Sequence, residues 1–160
     1  LVTMLTKRPK LTLKVHGTWT ANEDNRALRI KKLIRMVIAE NTKVKTDSSD
    51  TMSLEMLEKT AKKLIDSSEV KSIRSAMEVK YTQEAQFVQH YTAALIERLI
   101  PLQVITSAEL DALAGSRAKN VMEYMHKNQA LTNRVSISKS EKVSLDSKEN
   151  VPSRLEITVE

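Results

Sequence analysis

Three short segments in which apolar and polar residues alternate place the strongest limit on the fold. The segments are residues 11–17 (LTLKVHG), 134–138 (RVSIS) and 154–160 (RLEITVE). Alternation of this kind puts the apolar side chains on one face of a half-buried strand. In the first segment Gly17 follows the last alternating residue, so we expect the strand to close there. The chain has only two glycines and three prolines, which favours helices over tight turns in the rest of it.

Helical spacing of apolar residues accounts for most of the remaining sequence. The predicted helices cover residues 1–8, 20–41, 53–65, 70–100 (one helix or two) and 106–128. Thr106 and Glu109 form a capping-box pattern at the start of the last helix. The predicted fold class is therefore α+β, with a small mixed three-stranded sheet and helices on one face. We expect one domain over residues 1–160.

Residues 42–105 form a predicted helical insertion within that domain. They show no strand pattern and carry their own apolar stripe, which comprises Leu54, Leu57, Leu64, Val88, Leu95 and Leu99. An exposed apolar stripe needs a partner. We therefore expect the insertion to pack on the core or project from it, and to offer a protein–protein surface.

Positive charge is concentrated at the start of the chain. Residues 1–46 hold 11 Lys and Arg against 3 Asp and Glu, a net charge of +8, whereas residues 47–160 hold 15 against 17. A basic half favours an anionic partner such as nucleic acid or a phospholipid surface, and a solvated helix face is the simpler interpretation. Trp19 is the only aromatic residue in the basic part, although nucleic-acid modules usually have stacking aromatics.

The sequence lacks the usual signatures of catalysis and metal binding. The chain has no cysteine, which excludes disulfides, thiolate catalysis and cysteine zinc sites. His16, His90 and His126 are scattered, and the sequence has neither a phosphate-binding glycine loop nor a nucleophile elbow. We therefore expect no enzyme activity, no metal and no cofactor. No apolar run approaches the roughly 20 residues of a membrane span. Because the chain begins at Leu1, we interpret it as part of a longer protein.

The C-terminal third resembles the OmpA-like domain, a peptidoglycan-associated module of bacterial envelopes. The family pattern is N-x-x-L-S-x-x-R-A-x-x-V-x-x-Y-L-x-x-x-G-I-x-x-x-R-V. The matching residues are Leu113, Arg117, Ala118, Val121, Tyr124, Arg134 and Val135. The resemblance implies that Arg117 occupies the place of the arginine that contacts peptidoglycan. The departures are Leu110, Ala114 and Gln129 in the pattern, and Thr20 where the family has the aspartate that helps hold diaminopimelate.

A closer resemblance covers residues 1–41 and 106–138. The segments LTKRPKLTLKVHGTW, NRALRIKKLIR and LDALAGSRAKNVMEYM are similar to the C-terminal domain of AsmA-like envelope proteins, which carries a domain of unknown function. This implies a periplasmic module of a membrane-anchored bacterial protein that supports outer-membrane biogenesis or lipid transport. Its partners would be an envelope protein, the lipid-transport machinery or the polypeptide preceding Leu1. OmpA-like domains have a further strand before the first helix, so we expect an exposed sheet edge here.

The candidate ligand-binding residues are Arg117, Thr20 and Asp24. Arg117 could bind a carboxylate of a cell-wall peptide through its planar guanidinium, or pack its stem against the sheet and pair its head within the protein. Asp24 lies in a first helical turn, where acids cap and complement the helix dipole, and it could also replace the aspartate of the family. We predict the structural role for Arg117, with its head bonded to a nearby acid or carbonyl, and a degenerate peptidoglycan pocket. Peptidoglycan binding and a basic cytoplasmic nucleic-acid module are the alternatives.

Overall fold

The computed structural model describes residues 1–41, 52–144 and 154–159. In these residues the helices are α1 (Val2–Lys7), α2 (Glu23–Asn41), α3 (Leu54–Leu64), α4 (Ser67–Lys80), α5 (Glu84–Leu99) and α6 (Ser107–His126), and the strands are β1 (Leu11–Thr20), β2 (Val135–Val143) and β3 (Arg154–Val159). Two short 3₁₀ turns span Ile100–Leu102 and Gln129–Leu131. The predicted α+β class is confirmed. The polar, turn-rich segment 42–52 is predicted to be a loop, and its residues 42–51 lie outside the described residues.

The sheet has the strand order β2-β1-β3, so β1 is its central strand. Strand β1 pairs with β2 in parallel and with β3 in antiparallel orientation. Leu13 lies between Val135 and Ile157 in the register. The predictions that Leu13 belongs to the central strand and Ile157 to the same sheet are therefore confirmed.

Gly17 does not close the first strand, and that prediction is wrong. Strand β1 continues to Thr20, with a shift in its register to β2 between His16 and Thr18. A Cβ atom on Gly17 would lie only 2.3 Å from the carbonyl oxygen of Ala114 in α6. Glycine is therefore required at this position because a helix approaches the strand closely, and not because the chain turns there.

The chain divides into two compact units, of which the first is the sheet unit, Leu1–Asn25 and Ile105–Glu160. Its buried core consists of Leu5, Leu13, Val15, Ala118, Met125, Leu131 and Val135. The core side chains of α1 and α6 pack on the face of β1 that carries Leu13 and Val15. The capping box of Thr106 and Glu109 at the start of α6 is confirmed.

The second compact unit is the helical unit, Arg26–Val104. Its buried core consists of Leu33, Val37, Leu57, Ala61, Val70, Tyr91, Leu95 and Leu99. The unit starts before the predicted insertion boundary at residue 42, because Leu33 and Val37 of α2 pack with α3 and α5.

The predicted apolar stripe of the insertion is largely an internal core. Leu57, Leu95 and Leu99 are fully buried, and only Leu64 and Val88 are exposed by more than a third. The expectation that the stripe is exposed is therefore wrong for Leu57, Leu95 and Leu99, which pack inside the helical unit. Within the described residues, no helix combines the length and the apolar character that crossing a membrane requires.

Candidate functional site

The three candidate site residues meet at the carboxyl end of β1. Thr20 ends this strand, Asp24 lies in the first turn of α2, and Arg117 projects from α6. Strand β2 runs parallel to β1 beside them. Polar side chains at the carboxyl ends of parallel strands commonly form ligand sites in open sheets. The structure thus brings Asp24 and Arg117 together although 93 positions separate them in the sequence.

Arg117 and Asp24 form a bidentate ion pair. The Nη1 atom of Arg117 donates to Oδ2 of Asp24 at 2.8 Å, and its Nη2 atom donates to Oδ1 at 2.6 Å. The Nη1 atom also donates to the carbonyl oxygen of Thr18 at 3.0 Å. Two parallel hydrogen bonds between a guanidinium and a carboxylate fix both groups in one plane. Arg117 therefore ties α6 to the end of β1 and to the start of α2.

Asp24 is held by Thr20 as well. The backbone N–H of Thr20 donates to Oδ2 of Asp24 at 2.7 Å, and the backbone N–H of Asp24 donates to Oγ1 of Thr20 at 3.3 Å. This reciprocal arrangement satisfies backbone donors at the helix start, as a capping box does. The Asp24 side chain is only 5% exposed, whereas that of Arg117 is 36% exposed.

The pKa values of both groups favour their charged forms. Burial raises the pKa of the Asp24 carboxyl, but hydrogen bonds from Arg117 and from the Thr20 backbone, with the guanidinium charge, outweigh it and leave that pKa below its usual value. The hydrogen bond to Asp24 raises the pKa of Arg117 despite its partial burial. The two groups therefore form a charged pair over the whole neutral range.

The predicted partners of Arg117 are confirmed, since its head bonds to an acid and to a backbone carbonyl. Asp24 combines both interpretations considered for it: it caps α2, and it supplies the acid opposite Arg117. Thr20 itself carries no charge into the site. Leu110 and Ala114 of α6 are both buried.

Asp111 is a functional candidate that the sequence did not single out. Its Oδ1 atom accepts a hydrogen bond from the indole Nε1 of Trp19 at 3.2 Å and one from the hydroxyl of Ser140 at 2.6 Å. Lys142 lies over the Trp19 ring at 5.8 Å from its centroid. The only feature of the sequence that could have pointed to Asp111 is the tryptophan close to Gly17, Trp19. These contacts join α6 to β1 and β2 on the same side of the sheet as Gly17.

A shallow cleft of about 250 Å³ lies at the ends of β1 and β2. Its lining residues are Thr20, Ala21, Asn22, Glu23, Lys142, Val143 and Ser144. Asp24 and Arg117 are not among these lining residues, although Thr20, which bonds to Asp24, is one of them.

His16 is the buried histidine of the sheet. Its Nδ1 atom lies 3.0 Å from a carboxylate oxygen of Glu141, and its Nε2 atom lies 3.1 Å from one of Glu156. Among the described residues, no group of three or more acidic or histidine side chains is placed to hold a metal ion.

No family model, curated protein or solved structure matches the chain. The site offers one closed ion pair, one indole held by a carboxylate and a small polar cleft. This arrangement can position secondary-structure elements and present polar surface.

Proposed function

We propose that this chain is a non-catalytic interaction module of a bacterial envelope protein, similar to the C-terminal domain of AsmA-like proteins, which supports outer-membrane biogenesis or lipid transport from the periplasm. One observation carries the proposal: Asp24 and Arg117 bind each other. An acid and an arginine would serve a cell-wall ligand only if each were free to bind it. In this chain they join α6 and the first turn of α2 to the end of β1.

The closed pair argues against a working peptidoglycan pocket. A ligand carboxylate would have to displace the two hydrogen bonds between Arg117 and Asp24, and a ligand ammonium would have to reach a carboxylate that is only 5% exposed. Removing one partner of a fully buried charge pair costs about 3–5 kcal/mol, and the partial exposure of Arg117 reduces the cost of opening this pair to about 2 kcal/mol. A weak ligand cannot recover that cost.

Peptidoglycan binding is the second candidate, and the same residues favour it. The Arg117 side chain retains 36% exposure and lies beside an acid, which is the pair of charges that a zwitterionic diaminopimelate group would need. This function requires the ion pair to open when the ligand binds.

Sedimentation with insoluble peptidoglycan distinguishes the two candidates. We expect the purified chain to stay in the supernatant. The contrary result would be sedimentation of the wild type that Arg117→Ala abolishes while the variant remains folded. Arg98→Ala is the matched control, because it removes an arginine paired with Glu69 on the helical unit.

A gel shift with duplex DNA and single-stranded RNA tests the nucleic-acid alternative. Basic patches without base-reading groups lose affinity steeply as salt rises, so we expect no shift at about 0.15 M salt. A shift that persists there would favour the cytoplasmic alternative.

A further inference from the structure

Strand β3 extends the apolar face of the sheet beyond its buried core. Val159, Ile157 and Leu155 pair with the β1 residues Leu11, Leu13 and Val15, respectively. Directly paired residues in neighbouring strands project to the same face. Leu13 and Val15 are fully buried, whereas Leu155, Ile157 and Val159 are 39%, 42% and 74% exposed. The β3 part of this apolar face is therefore open to a partner.

The outer edge of β3 is also open. In the sheet order β2-β1-β3 this strand is terminal, and β1 is its only strand neighbour among the described residues. A terminal strand presents backbone donors and acceptors that can pair with a further strand. The open apolar face and the open edge belong to the same six residues.

A basic turn lies at one end of β3. Lys7 ends α1, and Arg8 and Lys10 lie between α1 and β1. All three side chains are exposed. Lys10 precedes Leu11, the residue paired with Val159, so the turn adjoins the C-terminal end of β3. These residues line a surface cleft of about 420 Å³ together with Pro9 and Leu11.

The positive charges of this basic turn are not neutralised within the described part of the chain. No carboxylate there forms an ion pair with Lys7, Arg8 or Lys10. Arg134 donates instead to the backbone carbonyls of Leu5, Arg8 and Leu11. That guanidinium holds the turn in place and adds its own charge to it.

We propose that β3 binds an extended segment of a partner protein as an additional antiparallel strand. The segment has apolar residues at every second position and carboxylates at its N-terminal end. This inference rests on the proposed interaction function and identifies its surface. Antiparallel addition pairs the open backbone edge and covers Leu155, Ile157 and Val159. It also brings the first residues of the segment to the basic turn, where carboxylates find their counter-charges.

Two other occupants fit the surface less well. A second copy paired antiparallel about Ile157 would place its own Leu155 opposite Val159 and would bring Arg154 of the second copy towards the basic turn, where like charges repel. A bilayer would cover the apolar side chains but leave the backbone edge of β3 without hydrogen-bond partners in hydrocarbon, at a cost of several kcal/mol per group.

A fluorescein-labelled peptide, Asp-Glu-Val-Thr-Val-Thr-Val, tests the proposal by fluorescence anisotropy. We expect saturable binding to the full chain, and a loss of about tenfold in affinity for the triple variant K7E, R8E and K10E, since three rim charges are reversed. The matched control is K31E, R35E and K71E, which changes the same charge at exposed positions of the helical unit. We expect its affinity to stay within about twofold of wild type.

Further arms test the mode of binding. A peptide with proline in place of the central valine cannot complete the ladder and should not bind. Equal binding of that peptide, or equal loss in both triple variants, would overturn strand addition. If sedimentation velocity shows that the chain forms dimers and that Ile157→Asp dissociates them, the occupant of this surface is a second copy of the chain and not a partner segment. If the chain binds anionic phosphatidylglycerol vesicles and only the basic-turn variant loses that binding, the occupant is a membrane surface and not a partner segment.

The peptide experiment and the peptidoglycan experiment test the two proposals separately, because the outcome of one does not determine the outcome of the other. If the peptide does not bind and peptidoglycan does not sediment the chain, the strand-addition inference is wrong and the proposed interaction function stands. Sedimentation that depends on Arg117 would refute the proposed function whatever the peptide does, because the basic-turn variant retains Arg117 and Asp24.

Discussion

The sheet unit and the helical unit differ in which polar side chains join elements that are distant in the sequence. In the helical unit, the buried amides of Asn41 and Gln103 bond to carbonyls four residues back in the chain, and Arg98 pairs with Glu69 at the exposed surface. In the sheet unit, Arg117 bonds to a buried acid 93 positions away. Arg134 likewise bonds to three carbonyls more than 120 positions away. The buried amides of the helical unit therefore bond locally, and its distant elements are joined by exposed pairs, such as Arg26 with Glu97 71 positions away. In the sheet unit, partly buried arginines join the distant elements.

Gly17→Ala is expected to cause the largest loss of stability, and it tests how closely distant elements of the sheet unit must pack. The new methyl group would lie 2.3 Å from the carbonyl oxygen of Ala114 and 2.6 Å from its carbon. Backbone atoms cannot rotate away, so the helix must shift and strain the Arg117 contacts. We expect a loss of about 3 kcal/mol, the upper end of the usual cost of overpacking. Urea unfolding followed by the fluorescence of Trp19, the only tryptophan, reports directly on this unit.

Gly115→Ala is the matched control for that substitution. Nothing lies within 4 Å of a Cβ atom built on Gly115, which is inside α6. Alanine is favoured over glycine in a helix by up to about 1 kcal/mol, so we expect equal or higher stability. If the two alanine variants had the same stability, the close approach at Gly17 would not constrain the sheet unit.

The next largest effect is expected from Arg117→Ala. This change leaves the Asp24 carboxylate buried with only its Thr20 hydrogen bonds. Removing one partner of a fully buried pair costs about 3–5 kcal/mol, and the partial exposure of Arg117 reduces our expectation to about 2 kcal/mol. Arg98→Ala, in the helical unit, should cost less than about 1 kcal/mol, as is usual for exposed pairs. Equal losses in thermal or urea unfolding would abolish the distinction between the two units.

The sequence predicts these two units unequally well for a physical reason. Periodicity identifies the face of each element, and it correctly assigned β1, α3 and α6. It does not identify the partner of that face, so the stripe containing Leu57 and Leu95 was interpreted as an exposed surface when it is a core. Gly17 was interpreted as a strand end because close approach to Ala114 depends on a helix nearly 100 residues away. The sequence predicted that Arg117 needs a partner within the protein. Which residue is that partner, Asp24, depended on the fold.

The smallest predicted effect is a pH dependence that belongs to the Arg117–Asp24 pair alone. The pKa of Asp24 is lowered in the folded chain, whereas an unfolded aspartate titrates near about 3.9. Because the folded pKa is the lower one, the stabilisation that ionised Asp24 contributes is complete above the pKa of the unfolded chain. It is lost as the pH falls through the pKa of the folded chain.

Glu141 and Asp66 also have lowered pKa values, but these are common to wild type and Arg117→Ala and cancel in the difference between them. In Arg117→Ala, burial still raises the pKa of Asp24 and only the Thr20 hydrogen bonds oppose it, so that pKa is higher than in the wild type. Protonation of Asp24 therefore destabilises the variant less than it destabilises the wild type. We expect the stability gap between the two to narrow by about 1 kcal/mol between about pH 6 and about pH 3. In an Asp24→Asn background the gap should not change with pH, and a gap that still narrowed there would assign the effect to another acid.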